Sequence, residues 1–378
     1  MTTILDAAKA LHGPIRAAVP QMQADRKIPH TVVDGMRAAG VFDMALPQSL
    51  GGPELSPLEQ FDVIEALSIS DASVGWCAMI GADSGYYPGF LDDDAFATLY
   101  PTRNLVTAGK IAPAGVAQRC AGGWKVTGHW DFGSGSTHAD RFVGGVFLHD
   151  EEGESISDGR LCAAYLPTEL VEVQDTWDTI GLRATASNDY EIVDAVVPDN
   201  WLFDVMAPMQ RDDPIYRLPS WFIYKVAGVL TGLARRALDE AIVAATDKTL
   251  FPEFIQLIDR PGTQETIARN EAEARSARSF VREEIAKVWD ACVHEGDLSP
   301  KVLVPMRLAM VQASQVAVRV CREMFDLMTT TSIRSDSVHA QLMADAAVAN
   351  THIATSHRSW APLGARLSGR TSGGPLFL

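Results

Sequence analysis

Residues 122–140 read GGWKVTGHWDFGSGSTHAD, and this stretch holds the strand and turn around which the rest of the chain can be placed. Apolar and polar side chains alternate between Trp124 and Trp130, which is typical of a strand with one buried face. The strand leads into residues 132–136, where two glycines flank Ser134. Glycine has no Cβ, so a flat ligand can lie against the backbone and hydrogen-bond to its N–H groups. The pattern also fits a ligand-free hairpin with a glycine-rich corner, which composition alone favours.

The composition indicates a soluble globular protein of two or three packed segments. The chain has 378 residues, of which 47% are apolar and 21% charged, and this length exceeds one ordinary core. The net charge of −16 repels phosphate backbones and anionic lipid, so neither nucleic acid nor a membrane is an expected partner. No apolar run reaches about 18 residues, so no transmembrane helix is predicted.

The cysteines and the N-terminus predict a reduced, cytoplasmic protein. The five cysteines are scattered and form no C-x-x-C pair, so we predict neither a disulfide framework nor a metal site. The N-terminus lacks the basic start and the cleavage signature of a secretory signal.

The periodicity of the chain predicts an α+β architecture with three domains. Residues 1–104 show helical spacing, residues 105–207 alternate like strands, and residues 208–378 contain four long amphipathic helices. We therefore expect an N-terminal helical domain, a central antiparallel β-barrel and a C-terminal four-helix bundle. The expected strands are 105–107, 124–130, 142–148, 161–166 and 190–197, and the expected bundle helices are 221–245, 266–294, 302–328 and 337–359.

Two further stretches are candidates for binding. Residues 71–82 are apolar nearly all round, which predicts a buried helix whose small residues let either another helix or a substrate approach. Residues 177–187 bring an aromatic ring, an arginine and several hydroxyls into one loop. A packed turn in which Arg183 caps carbonyl groups is the simpler interpretation of that loop.

The motifs together resemble the acyl-CoA dehydrogenase superfamily over essentially the whole chain. They are most similar to its branch of two-component, flavin-dependent monooxygenases, which includes the oxygenase component of p-hydroxyphenylacetate hydroxylase and dibenzothiophene monooxygenase. Residues 130–135 and 138–140 match the branch pattern of Trp, aromatic-x-Ser-Gly and His-Ala-Asp. Residues 177–187 match W-x-x-x-G-L-R-G-T-G-S with alanines at two glycines, and residues 47–52 and 71–76 match its Pro-x-x-x-Gly-Gly loop and buried helix.

The last helix carries a further match and the main departure. The branch shows Ser-Pro-Leu-x-Arg-x-x-Arg-Asp and then a histidine seven residues later. Ser337, Asp345 and His352 fit this pattern, whereas Gln341 and Ala344 stand where the branch has arginines. A missing arginine removes a bidentate anchor, so contacts made by those arginines in relatives are not expected here.

The resemblance implies a monooxygenase because the dehydrogenase base is not found. After Glu295 the only glutamate is Glu323, in mid-helix, and the alternative position holds residues 219–221, Pro-Ser-Trp. No G-x-G-x-x-G follows a strand, so no nicotinamide fold is expected. The implied reaction uses reduced flavin and O2, through a C4a-hydroperoxyflavin, to oxygenate a small aromatic or polyketide-like substrate. The alternatives are a flavoenzyme that oxidises or oxygenates a CoA thioester, and a non-catalytic flavin-binding or assembly protein.

The resemblance also implies the site. His352 and Ser134 would be catalytic, Ser134 near flavin N5 or the peroxide and His352 as its hydrogen-bond partner or that of a substrate hydroxyl. The implied cofactor is FAD, with FMN as the alternative, and a separate NAD(P)H:flavin reductase would supply it in reduced form. The implied protein is a homotetramer that binds no metal. The implied flavin contacts are Phe132, Ser134, Gly135, Trp177, Arg183 and Ser187. The substrate-pocket candidates, for each of which core packing is the alternative, are Trp76, Tyr86 and Trp221.

Overall fold

The structure is a computed structural model that describes residues 2–218, 223–296 and 298–370. The chain forms two compact units. The first comprises Met1–Ser56, Cys77–Asp178 and Arg183–Arg217, and the second comprises Pro57–Trp76, Thr179–Leu182 and Leu218–Leu378. These units follow contacts rather than chain order, and the three-domain division at 104 and 207 stays a prediction.

The first part of the chain is helical, as predicted. Its helices are α1 (Ile4–Ala10), α2 (His12–Asp25), α3 (His30–Ala38), α4 (Pro57–Ser70), α5 (Ala72–Gly81) and α6 (Asp93–Leu99). Pro57 is the first residue of α4, where its missing N–H costs no helical hydrogen bond. The side chain of Asp92 caps α6 by accepting from the Ala95 N–H. Residues 72–79 are all buried, which confirms the predicted buried helix α5.

One seven-stranded sheet occupies the middle of the chain. Its strands are β1 (Thr107–Cys120), β2 (Gly123–Gly133), β3 (Arg141–His149), β4 (Cys162–Pro167), β5 (Glu172–Gln174), β6 (Asn188–Val197) and β7 (Leu202–Asp204). Their order across the sheet is β5-β6-β2-β1-β3-β4-β7, and β1 pairs with β3 in parallel.

Two details of the predicted central domain differ from the structure. The strictly antiparallel prediction is wrong, because β3 skips β2 and pairs with the far side of β1 while running in the same direction as β1. The sheet is therefore mixed. The pairings among the described residues leave β5 and β7 at the two edges, so the sheet is open and closure into a barrel is not seen.

The strand β1 is much longer than the predicted 105–107. Bulges on either side of Pro113 break its alternation, because proline cannot donate a ladder hydrogen bond. Trp130 of β2 lies in the core of the sheet with no exposed surface. A Cβ on Gly115 or Gly128 would lie 2.4 or 2.6 Å from the Trp130 ring, so these glycines make room for it.

The second unit is built on long helices. They are α7 (Val226–Asp247), α8 (Pro261–Val293), α9 (Pro300–Leu327), α10 (Val338–Ala349) and α11 (Trp360–Leu367), with a hairpin of β8 (Thr249–Leu250) and β9 (Ile255–Gln256) after α7. The helices α7 to α10 pack against one another, and α4 packs on α7 and α8. The predicted start of the first bundle helix at Trp221 lies outside the described residues. No helix among the described residues is long and apolar enough to cross a bilayer.

The fourth bundle helix is shorter than predicted. It ends at Ala349 rather than near residue 359. The Thr351 hydroxyl bonds back to the Val348 carbonyl at 2.8 Å, and such local bonds compete with helix continuation. Asn350 faces α9 instead, where its Oδ1 accepts from Ser314 Oγ at 2.7 Å and from Gln315 Nε2 at 3.0 Å. His352 therefore lies in a turn and not on a helix.

Candidate functional site

The turn that follows β2 exposes an aromatic ring on a strained backbone. Phe132 has a φ of 63° and Gly135 a φ of 79°, and the Phe132 side chain is 56% exposed. The rings of Phe132 and Trp177 meet edge to face with centroids 6.1 Å apart. A left-handed phenylalanine is uncommon, and such strain is often found at functional sites. The two rings form an apolar surface on the first unit, which we call the ring pair.

A chain of hydroxyl groups belongs to the same turn. Ser134 Oγ and Ser187 Oγ lie 2.8 Å apart, and Thr185 Oγ1 lies 2.7 Å from Ser187 Oγ. The Gly135 N–H donates to the Thr185 carbonyl at 2.8 Å, which joins the two segments through the backbone as well. The predicted flavin residues Ser134, Gly135 and Ser187 are therefore brought together.

The sequence analysis missed Asn188, which positions Trp177. Asn188 pairs with Gly133 at the end of β2. Its side-chain Oδ1 accepts from the Trp177 N–H at 3.0 Å, and its Nδ2 donates to Ser136 Oγ at 3.2 Å. The strand register could have suggested this role only after the β2–β6 pairing was known.

Arg26 and Arg183 also hold the Trp177 loop. Arg26 Nη1 donates to the Trp177 carbonyl at 2.5 Å, and its Nη2 pairs with Asp175 at 3.0 Å. Arg26 was not among the predicted residues. Arg183 Nη1 pairs with Asp178 Oδ1 at 3.0 Å, so this arginine is engaged with a carboxylate rather than with carbonyl groups in that contact. Its role as a flavin contact stays a prediction.

The segment Thr179–Leu182 lies against α10 in the second unit. The Leu182 N–H donates to Asp345 Oδ1 at 2.6 Å. A Cβ on Gly181 would lie 2.4 Å from the backbone of Ala344, so only glycine allows this approach. Burial, and then the neighbouring Asp71, raises the pKa of Asp345 to about 8. Gln341, which replaces an arginine of the branch, donates to Asp71 Oδ2 at 3.3 Å.

His352 is a neutral hydrogen-bond donor beside an aromatic ring. Its ring meets that of Trp76 edge to face at 5.5 Å. Burial, and then the charge of Arg307, lowers the pKa of His352 to about 4. The Ala354 N–H donates to Nδ1 at 3.3 Å, so the single proton of the neutral ring lies on Nε2. The Nε2–H can therefore donate to an oxygen atom.

The remaining candidates divide between the two units. Trp76 and His352 are together in the second unit, whereas Tyr86 lies in the first unit with no exposed surface. Trp221 lies outside the described residues. A role of Tyr86 in a substrate pocket stays a prediction.

Two other motif residues are engaged structurally. Asp140 Oδ2 accepts from Arg37 Nη2 and from the Val106 N–H, both at 2.8 Å, and so braces the start of β3. Glu323 Oε2 accepts from Asn270 at 2.7 Å and from Arg269 at 2.8 Å, and these two bonds lower the pKa of the Glu323 carboxyl. A carboxylate bound in this way is a poor base for removing a substrate proton.

The residues of the first unit fit a flavin. An isoalloxazine ring is flat and apolar on its faces, and its edge carries nitrogen and oxygen atoms that need hydrogen-bonding partners. The ring pair supplies an apolar surface, and the Ser134–Ser187–Thr185 chain supplies hydroxyl groups next to it.

Comparisons with known proteins place the chain in a family. Residues 6–88 match the family "Acyl-CoA dehydrogenase, N-terminal domain" and residues 224–357 match "Acyl-CoA dehydrogenase, C-terminal domain". The chain is 33% identical to the indole-3-acetate monooxygenase of Pseudomonas putida, over 94% of this chain and 91% of that protein.

Two solved structures share the fold. XiaF from Streptomyces sp., in complex with FADH2 and glycerol, superposes with a TM-score of 0.90 at 20% sequence identity. The match covers 97% of this chain and 95% of the XiaF chain. TdsC from Paenibacillus sp. A11-2, in complex with FMN and indole, superposes with a TM-score of 0.86 at 20% sequence identity. The match covers 99% of this chain and 100% of the TdsC chain. The chain thus belongs to the acyl-CoA dehydrogenase superfamily, in its branch of flavin-dependent monooxygenases.

Proposed function

We propose that the protein is the oxygenase component of a two-component system that hydroxylates an indole-like aromatic compound. It receives reduced flavin from a separate NAD(P)H:flavin reductase. The observation that carries this proposal is the match to the indole-3-acetate monooxygenase of Pseudomonas putida over 94% of the chain. Other relatives are named as oxygenase subunits or components, which supports the separate reductase.

The flavin binds, in this proposal, to the first unit. Its ring lies against the ring pair, and its polar edge meets Ser134 and, behind it, Ser187. When bound, reduced flavin supplies the two electrons that split O2, so that one oxygen atom enters the substrate and the other leaves as water. We propose FAD as the natural flavin, with FMN as the alternative, since the similar solved structures hold FADH2 in one case and FMN in another.

His352 and Trp76 serve the substrate side in the second unit. The neutral His352 donates from Nε2 to an oxygen atom of the reacting groups, which it does without a change of charge near pH 7. Trp76 is 8% exposed, and it orients the imidazole through the edge-to-face contact. Both residues exclude water from that part of the site, which favours oxygen transfer over release of hydrogen peroxide.

Oxygen consumption tests the proposal. The purified protein is mixed with NADH, O2 and indole-3-acetate, first alone and then with an unrelated flavin reductase and FAD or FMN. We expect hydroxylated product only in the complete mixture, and hydrogen peroxide alone when the oxygenase is left out. The proposal fails if an acyl-CoA bleaches the flavin-loaded protein without oxygen and passes electrons to an acceptor.

We further propose that the protein is a homotetramer. Exposed apolar side chains on the second unit support association, among them Phe251, Phe254 and Ile333 at 82%, 74% and 71% exposure. Sedimentation velocity at micromolar concentration should give the mass of four chains. A monomer under these conditions would contradict this proposal and leave the monooxygenase proposal untouched.

A further inference from the structure

Arg307 is a buried arginine without a partner among the described residues. It lies on α9 with 1% of its surface exposed. Its Nε and Nη1 atoms are buried and have no hydrogen-bond partner in the part of the chain that the structure describes. Burial alone lowers the pKa of Arg307, to about 10, and no carboxylate contributes. Arginine is almost never fully buried unless it is paired, because an isolated buried charge is strongly unfavourable.

The side chains one turn away from Arg307 on its face of α9 are apolar. Val304 and Val311 lie one turn before and one turn after it on α9, and they pack with Leu363 of α11. None of these side chains can accept a hydrogen bond. The guanidinium therefore has buried donors that these neighbours do not satisfy, and its planar fork suits an anion that binds through two oxygen atoms.

Electrostatics and one face of α9 connect Arg307 with the predicted catalytic histidine. Its charge acts on His352, whose ring contacts Trp76. The face of α9 that carries Arg307 carries Ser314 two turns later, and Ser314 holds Asn350 at the start of the turn that contains His352. An aromatic ring, a neutral hydrogen-bond donor and a cation thus belong to one region of the second unit.

We propose that Arg307 binds the carboxylate of an aromatic acid substrate and thereby selects acids over neutral aromatic compounds. This inference rests on the proposed monooxygenase function and names the substrate class of the same site. The phosphate of a flavin is the other anion that such a fork could bind, and flavin binding distinguishes it from a carboxylate below. A carboxylate on a one-carbon or two-carbon side chain keeps the anion near the reacting ring.

Binding of a matched ligand pair tests the proposal. Indole-3-acetate and 3-methylindole share the ring, but only the first carries a carboxylate, and each is titrated calorimetrically into the wild-type chain, Arg307→Met and Arg307→Lys. We expect Arg307→Met to weaken indole-3-acetate binding about 10- to 100-fold, the range for hydrogen bonds to a charged group, and to leave 3-methylindole unchanged. Arg307→Lys keeps the charge without the fork and should lose less. Arg319→Met, at an exposed arginine of α9 that pairs with Glu273, is the control and should change neither ligand.

Stability and flavin binding separate the other roles of Arg307. Without ligand, Arg307→Met should be at least as stable as the wild-type chain, because an unpaired buried charge is removed. Equal losses for both ligands in a destabilised variant would make Arg307 structural. Weaker FMN binding with unchanged riboflavin binding would make it a phosphate site, and either result overturns the proposal.

Turnover distinguishes this inference from the proposed function. If the wild-type chain hydroxylates both indoles with equal kcat/KM and binds both equally, the carboxylate inference is wrong and the monooxygenase stands. If it binds the acid through Arg307 but hydroxylates neither indole with reduced flavin, the proposed function fails and the anion site stands.

Discussion

Ser134 and Ser136 belong to one turn but have different bonding. Ser134 shares its hydrogen bond with Ser187, a residue that Thr185 also contacts. Ser136 donates to the Ala186 carbonyl at 2.7 Å and accepts from Asn188, so its hydroxyl joins the two segments of the first unit directly. We therefore expect Ser134 to face the proposed flavin and Ser136 to support the scaffold.

Replacement of these two serines should separate the two roles. Ser134→Ala should cost about 1 kcal/mol of stability at most, because Ser187 keeps Thr185 as a partner. It should raise the hydrogen peroxide released per product formed, as measured with an oxygen electrode and a peroxidase assay. Ser136→Ala should lose more stability and keep the coupling. Equal coupling in Ser134→Ala and the wild-type protein would remove Ser134 from the flavin site.

His352 should give no ionisation near its ordinary pKa. The folded protein keeps its imidazole neutral down to about pH 4, whereas the unfolded chain takes up the proton near pH 6.5. Between these values the unfolded chain binds more protons, so this group's contribution to stability rises with pH from about 4 to 6.5. The pH profile of kcat/KM between about pH 5.5 and 8 should therefore show no change near pH 6.5 that is due to His352. The wild-type protein and His352→Gln should have the same profile shape in this range. A change in kcat/KM near pH 6.5 that disappears in His352→Gln would show that His352 titrates freely and would contradict this prediction.

At the scale of single residues, the sequence indicated which residues to examine but not their protonation states or their partners. The motif pointed to Ser134, Ser187 and His352, and the structure joins the two serines and places His352 beside Trp76. The neutral state of His352 depends on burial and on Arg307, which lies far away in sequence. Arg307 itself shows no sequence signal, because its lack of a partner is a property of the packed helices.

At the scale of elements, the loop between β5 and β6 contains an alanine in an unfavourable conformation. Ala186 has a φ of 43°, and it stands where the branch has glycine. Ala184 also replaces a branch glycine, but it is not among the residues with positive φ. Both methyl groups are buried.

The two alanines should respond differently to glycine. Ala186→Gly relieves a strain of about 1–2 kcal/mol, which offsets the loss of its buried methyl group and the gain of about 0.4–1 kcal/mol in unfolded-chain entropy, so its stability should be nearly unchanged. Ala184→Gly relieves no strain and loses a buried methyl group, so it should be destabilised by about 1 kcal/mol or more. Guanidinium denaturation of both variants measures the difference. Equal destabilisation would contradict the strained conformation at Ala186.

Asp345 should make the contact between Leu182 and α10 sensitive to pH. Its carboxyl stays protonated to about pH 8 in the folded protein but ionises near pH 3.8 when unfolded. The folded protein binds the extra proton over this interval, so stability falls as pH rises through it, by up to about 1.4 kcal/mol per pH unit. Asp345→Asn keeps the acceptor for the Leu182 N–H and removes the ionisation. Chemical denaturation at pH 5 and pH 8 measures the free energy of unfolding of both proteins. The variant should gain stability relative to the wild-type protein between pH 5 and pH 8. An equal difference at the two pH values would contradict the raised pKa of Asp345.

The limits of the elements show what periodicity misses. Strand β1 was predicted to end at 107 because the bulges around Pro113 disturb its alternation, and its true length depends on pairing with β2 and β3. Helix α10 was predicted to continue because its apolar pattern continues. It ends at Ala349, where the Thr351 hydroxyl bonds to the Val348 carbonyl and the Asn350 side chain bonds to α9, and the second contact has no local sequence signal.

At the scale of the whole molecule, the order of elements was predictable and the connectivity of the sheet was not. Helices, then strands, then long helices follow from composition and period, as the family matches at residues 6–88 and 224–357 confirm for the two helical parts. The neighbours of a strand depend on which surfaces fit in three dimensions. The mixed order β5-β6-β2-β1-β3-β4-β7 therefore departs from the simple antiparallel meander that adjacent strands suggest.

The pairing of β2 with β6 has a consequence for the order of folding. Gly133 pairs with Asn188, which lies far away in the sequence. Strands that are distant in sequence pair slowly during folding because a long loop has to close first. In pulse-labelled hydrogen exchange, the amides that join β1 to β2 should be protected before those that join β2 to β6, and the reverse order would contradict this view. A growing chain that stops before Asn188 has neither Ser187 beside Ser134 nor Trp177 fixed by Asn188. A flavin bound at this turn, as proposed above, would recognise only the finished sheet and would therefore stabilise the folded form over the unfolded chain.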